Sequence, residues 1–138
     1  MKKILLASHG NLAKGMLDSI TMLVGDPKDQ IEALTLKIGD STETLFQQTV
    51  EKIKENPRDT FILITDVFGG SINNAALQYL IYPNLIVISG MSLGLVLEIF
   101  TGKESVDQKN IINCVERAKD GMLVFSGANV LNSQAEDF

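Results

Sequence analysis

The order of apolar and polar positions divides the chain into short continuous runs and longer periodic stretches. Residues 3–7 read as a short strand buried on both faces, broken by Ser8-His9-Gly10-Asn11. Leu12, Met16, Ile20 and Leu23 then recur near helical spacing and predict a helix over 12–24, stopped by Gly25-Asp26-Pro27. Residues 31–38 alternate in part and predict a second strand. Asp40 and Glu43 are spaced like a capping box, and Leu45, Phe46, Thr49, Val50 and Ile53 mark one face of a second helix. Residues 60–65 form the third apolar, β-branched run, closed by Asp66. After a glycine turn, residues 72–79 read as helical. Residues 85–90 predict a fourth buried strand, and 93–100 a short helix ended by Gly102. Residues 107–119 predict an amphipathic helix with Ile111, Ile112, Val115 and Ala118 on its apolar side. Residues 121–127 predict a last strand, and 129–138 show no period and stay unassigned.

Strand and helix alternate throughout. The expectation is therefore an α/β fold, a doubly wound and mostly parallel sheet with helices on both faces, over residues 1–138 as a single domain. Right-handed crossovers and one reversal of strand order open a crevice above the carboxyl ends of the strands.

Composition narrows the function classes. The 138 residues are 45% hydrophobic, ordinary for a folded domain, and the net charge of −5 argues against general nucleic-acid binding. The single cysteine, Cys114, forms no internal disulfide and is expected as a buried structural thiol. The amino-terminal apolar stretch is too short for a signal peptide, and no segment is long enough to span a bilayer, so a cytoplasmic location is expected. One histidine and one cysteine do not make a zinc site of the usual kind, and no metal or cofactor is expected. The glycine motifs of dinucleotide and P-loop sites and the nucleophile elbow are absent from the sequence.

Candidate chemistry gathers at two strand ends. His9, the only histidine, follows the first strand, and Asp66 follows the third. A carboxylate beside an imidazole holds one ring nitrogen and leaves the other as a nucleophile, base or ligand. Gly69 and Gly70 allow a tight turn and a close approach to the backbone. Ser71 is placed to cap the next helix, whose first N–H groups favour an anion. Each feature alone has a bland reading: a surface histidine, a turn aspartate, an ordinary glycine turn. Asp66 as a phospho-acceptor of the response-regulator kind would call for an acid pair after the first strand, where Ser8-His9 stands.

Ser8-His9-Gly10 after the first strand, together with Thr65-Asp66-Val67-Phe68-Gly69-Gly70-Ser71 after the third, resembles the mannose-type EIIA domain. These are phosphocarriers of the bacterial phosphoenolpyruvate:sugar phosphotransferase system. The resemblance extends from Met1 to about Gly127, including Ile88-Ser89-Gly90 and Glu98. It implies that His9 accepts a phosphoryl group from the phosphocarrier HPr and passes it to EIIB, and so indirectly to membrane sugar permease subunits. It also implies that Asp66 orients His9, and that Gly69, Gly70 and Ser71 lie at the phosphoryl group. The last strand is implied to cross, antiparallel, to the sheet of a second copy in a homodimer. Two positions depart from the family pattern: Ile72 stands where proline often follows the serine, and Gly90-Met91-Ser92-Leu93-Gly94 replaces a loop that often carries asparagine and proline. Two other functions fit the same residues. One is the phosphocarrier subunit of a phosphoenolpyruvate-dependent dihydroxyacetone kinase, and the other a non-catalytic small-anion-binding module.

Overall fold

Strands Lys2–His9 (β1), Ile31–Leu36 (β2), Thr60–Thr65 (β3) and Leu85–Ser89 (β4) pair in parallel in the order β2-β1-β3-β4. The computed structural model describes residues 1–132 and divides into two compact units, Met1–Leu93 and Gly94–Phe138. The first contains this sheet. Helix α1 (Leu12–Val24) joins β1 to β2, helix α2 (Thr42–Glu55) joins β2 to β3, and helix α3 (Ser71–Leu77) with a 3-10 turn (Gln78–Ile81) joins β3 to β4.

Pleating sends alternate residues of the two central strands to opposite faces. Leu5, Ala7, Phe61 and Leu63 meet Phe46 and Ile53 of α2 and Ile72 and Ala76 of α3 in one buried cluster. Phe46 is fully buried there, with its ring edge against Tyr79 at 5.7 Å between centroids. Burying a side chain of this size contributes about 1.5–3 kcal/mol. Ile4, Leu6, Ile62 and Ile64 alternate with that set and are equally buried. Helix α1 lies against β1 and β2. The step from β1 to β2 runs opposite in direction to the steps from β2 to β3 and from β3 to β4. Right-handed crossovers therefore put α1 on the face away from α2 and α3. The reversal falls between β1 and β3, so the carboxyl ends of these two strands flank the crevice.

Several local expectations shift. In α1 the buried positions are Ala13 and Ile20 with Met16 and Leu17 half-buried, a stripe offset from the expected one, and Leu12 and Leu23 are exposed. Helix α2 is capped by Ser41, whose Oγ accepts the Thr44 N–H at 3.1 Å, while Asp40 accepts from the Lys37 N–H instead. The helix read over 72–79 begins at Ser71 and tightens into 3-10 geometry from Gln78. Strand β4 is only half-buried at Ile86 and Val87, as an edge strand is. No helix among the described residues is long and apolar enough to cross a membrane.

The second unit holds most of helix α4 (Leu93–Thr101), helix α5 (Gln108–Asp120) and a short hairpin. Asp107 caps α5 by accepting the Asn110 N–H at 2.8 Å, and Arg117 Nε donates to Glu98 at 2.9 Å. Cys114 is buried, as expected, whereas Ile112 is exposed. The strand expected over 121–127 is not continuous. Phe125–Ser126 (β5) pairs antiparallel with Asn129–Val130 (β6), and β6 falls in the unassigned stretch that starts at Asn129. Gly127 and Ala128 both take positive φ, 56° and 69°, the geometry of a two-residue hairpin turn whose twist suits antiparallel strands. Met122, Val124 and Phe125 stay exposed on this chain. The remainder of the unassigned tail, residues 133–138, lies outside the described residues.

Candidate active site

His9 is the last residue of β1, and Asp66 is the first residue beyond β3. Parallel pairing carries Ala7 against Thr65, so the two strands deliver both side chains to the same crevice. One carboxylate oxygen, Asp66 Oδ2, accepts the His9 backbone N–H and stands 2.8 Å from His9 Nδ1; both distances are 2.8 Å. The other, Oδ1, accepts the Val67 N–H at 3.0 Å. The carboxylate only accepts, so in this contact Nδ1 carries the hydrogen and donates it. In the neutral ring Nε2 then bears the lone pair.

The electrostatics follow from these contacts. Burial pushes the Asp66 carboxyl up. The His9 backbone N–H, the ring hydrogen bond, the imidazole charge and the Val67 N–H outweigh it and hold the carboxyl below the usual carboxylate range. Asp66 therefore stays ionised and nearly enclosed, with 9% of its side chain exposed, while the imidazole is 51% exposed. The anchored side of the ring is shielded, and the ring still opens to solvent.

The loop after Asp66 completes the site. Gly69 adopts φ +80°, which a residue with a side chain takes only with strain. Gly70 has ordinary φ and is constrained by space instead: a Cβ there would stand 3.0 Å from Val67 Cγ1 and 3.6 Å from His9 Cε1. Gly70, not Ser71, is the N-cap of α3, and no side chain caps that helix. Ser71 is already the first helical residue, and its Oγ lies 3.4 Å from His9 Nε2. The expected capping role of Ser71 is thus replaced by a direct approach to the open ring nitrogen. The Asn74 N–H reaches the Gly70 carbonyl, so the N–H groups of Ser71, Ile72 and Asn73 have no intrahelical partner.

Of the residues singled out in the sequence, Asp66, Gly70 and Ser71 stand against the His9 imidazole, and Gly69 takes part through the turn that leads into Gly70. Two supports were not legible there. Ser8 is fully buried; its Oγ accepts the Ala13 N–H at 2.8 Å and donates to the Gly10 carbonyl at 3.2 Å, so it anchors the start of α1 from inside β1. The Gly10 N–H donates to the Leu36 carbonyl at 2.7 Å and ties the turn to β2. Thr65 and Asn73 form the second support, a buried hydrogen-bonded pair. Among the described residues no cluster of histidine, cysteine, aspartate or glutamate has the makings of a metal site. A half-exposed imidazole with one nitrogen held and the other open is chemically a nucleophile for group transfer.

The chain is similar to known proteins along most of its length. The family model EIIA-man, described as the PTS system fructose IIA component, matches residues 3–119. A sorbose-specific EIIA component of the phosphotransferase system from Klebsiella pneumoniae is 26% identical over 112 residues, covering 80% of this chain and 82% of that protein. A crystal structure of a putative phosphoenolpyruvate-dependent sugar phosphotransferase system permease, also from Klebsiella pneumoniae, is 27% identical, covers 88% of both chains and superposes with a TM-score of 0.79. The mannose/sorbose-specific IIA subunit from Enterococcus faecalis, 22% identical, shares the fold over 95% of this chain and 100% of its own, with a TM-score of 0.81. With the family model spanning residues 3–119, this chain belongs to the EIIA-man family of phosphotransferase-system IIA components.

Proposed function

We propose that the protein is a phosphocarrier of a sugar phosphotransferase system, taking a phosphoryl group from phospho-HPr on His9 and passing it to EIIB for sugar uptake. The observation that carries this reading is the 2.8 Å contact between His9 Nδ1 and Asp66, which leaves Nε2 unprotonated beside Ser71. The Nε2 lone pair attacks the donor's phosphorus. A new N–P bond forms as the donor's N–P bond breaks, and the donor imidazole leaves with the electron pair. The Nδ1 proton stays in place on the ring, and Asp66 stabilises the positive charge that the phosphorylated ring carries. Transfer of this kind needs positioning and charge stabilisation more than acid–base work. The N–H groups after Gly69 and Gly70 and the Ser71 hydroxyl supply donors to the phosphoryl oxygens.

The surroundings of His9 favour a protein as donor and acceptor over a small molecule in an enclosed cavity. The ring is half-exposed, and Val67, Phe68 and Ile38 present apolar surface on the loops at the same strand ends. Partners touch such a rim transiently and leave with the phosphoryl group. The carrier then works in the cytoplasm as a homodimer, its exposed carboxyl-terminal apolar segment covered by a second copy, and reaches the membrane permease subunits only through EIIB. Neither the dihydroxyacetone-kinase carrier nor the anion-binding module is favoured by the family match or by the site.

The test is reconstitution with labelled phosphoenolpyruvate, enzyme I and HPr. Acid-labile phosphate is expected on the wild type and none on His9→Ala. Labelling of His9→Ala, or label that resists acid, would contradict the assignment.

A further inference from the structure

Thr65 closes β3, and Asn73 lies in the first turn of α3. Thr65 Oγ1 donates to Asn73 Oδ1 at 2.8 Å, and the two residues are 0% and 2% exposed. The Thr65 carbonyl accepts the N–H groups of both Gly90 and Met91, at 3.1 Å and 3.0 Å, and its hydroxyl stands 3.5 Å from the Ile88 carbonyl. One threonine therefore ties the end of β3 to the start of α3 and to the end of β4.

A buried hydroxyl–amide pair is a poor device for stability alone. Its net worth is small after desolvation, and two apolar side chains of the same shape serve about as well. What such a pair adds is direction. Asp66 follows Thr65 immediately, and Ser71 precedes Asn73 by two residues. Asp66 addresses one nitrogen of the His9 ring and Ser71 the other. The ring is rigid, so both contacts hold together only when the end of β3 and the first turn of α3 keep a set separation.

We infer that Thr65 and Asn73 are positioning residues of the phosphoryl-transfer site, fixing Ser71 against the open nitrogen of a ring that Asp66 already holds. The inference rests on the proposed role of His9. Neither residue touches the imidazole by the contacts described; they act through α3.

Thr65→Val, Thr65→Ser and the double variant Thr65→Val with Asn73→Leu test this, together with Ser71→Ala and its combination with Thr65→Val, each assayed by single-turnover transfer from phospho-HPr. Thr65→Val and the double variant are expected to slow transfer roughly three- to tenfold at saturating donor, the worth of about one hydrogen bond, with KM unchanged. Thr65→Ser keeps the hydroxyl and is expected within about twofold of wild type. In a Ser71→Ala background, Thr65→Val is expected to cost nothing more, because the group it places is gone. The double variant removes both members of the hydrogen-bonded pair and decides the matter if Thr65→Val fails to fold. A folded double variant with the wild-type rate, additive losses with Ser71→Ala, or failure of both variants to fold would overturn the inference. A wild type that takes no phosphate would overturn the functional reading as well, and that failure is visible without any variant.

Discussion

Ser71 Oγ stands 3.4 Å from His9 Nε2, the ring nitrogen that Asp66 leaves open. The hydroxyl comes from the first residue of a helix capped by a glycine, and it makes no cap of its own. Ser71→Ala should therefore leave stability within about 0.5 kcal/mol of wild type, as substitutions that touch no structural feature do. Phosphoryl transfer should slow roughly three- to tenfold. Urea unfolding and single-turnover transfer separate the two effects. A large loss of stability would mean that the hydroxyl is structural.

Gly69 and Gly70 should fail differently when each becomes alanine. Gly69 takes φ +80° with open space around it, so Gly69→Ala strains the backbone by about 1–2 kcal/mol, and Gly69→Asn recovers part of that because asparagine tolerates the left-handed region. Gly70→Ala instead drives a methyl toward Val67 Cγ1 and the His9 ring, and asparagine there makes matters worse. Unfolding midpoints of the four variants check the pattern. Rescue of Gly70 by asparagine would contradict it.

Much of this arrangement was legible in the sequence, for a physical reason. Continuous apolar runs ending in His9 and Asp66 admit few readings other than central parallel strands, and a Gly-Gly-Ser turn after the third leads straight into a helix. What stayed hidden depends on contacts distant in sequence or on a shift of one residue. Ser8 looks like a loop residue until its hydroxyl is seen holding the Ala13 N–H. The pairing of Thr65 with Asn73 crosses a turn whose path no periodicity reports. Ser71 fits a cap by residue type, yet its backbone is already helical, so Gly70 takes that place. The hairpin at Gly127-Ala128 lacks the asparagine–glycine signal that usually announces such a turn, because alanine here takes the positive φ.

Asp66 makes stability depend on pH in a defined window. Its folded-state carboxyl lies below the unfolded value of about 3.9. The stabilisation is therefore present in full above that value and is lost as pH falls through the lower folded-state value. The stability difference between wild type and Asp66→Asn should shrink as pH falls below about pH 4. Denaturant unfolding at a series of pH values checks this. A difference that grows as pH falls below about pH 4 would contradict it. At neutral pH the same variant should slow transfer on the order of 10²-fold, since an amide can donate to Nδ1 and leave the ring misoriented.

The exposed Met122, Val124 and Phe125 predict self-association. Sedimentation of the wild type should give a dimer at micromolar concentration, and Phe125→Asp should shift it to monomer without loss of α/β circular dichroism. A monomeric wild type would contradict the dimer.

With Nδ1 held by Asp66, the phosphoryl group is expected to form its bond to Nε2 of His9. The protein has one histidine, so a ¹⁵N-histidine spectrum recorded before and after phosphorylation reports one ring without overlap. Before phosphorylation the neutral ring should show the hydrogen on Nδ1. Afterwards the coupling to phosphorus should appear at Nε2, with Nδ1 still protonated and bonded to Asp66. Phosphorus coupled to Nδ1, or no phosphorylated imidazole at all, would contradict transfer through Nε2.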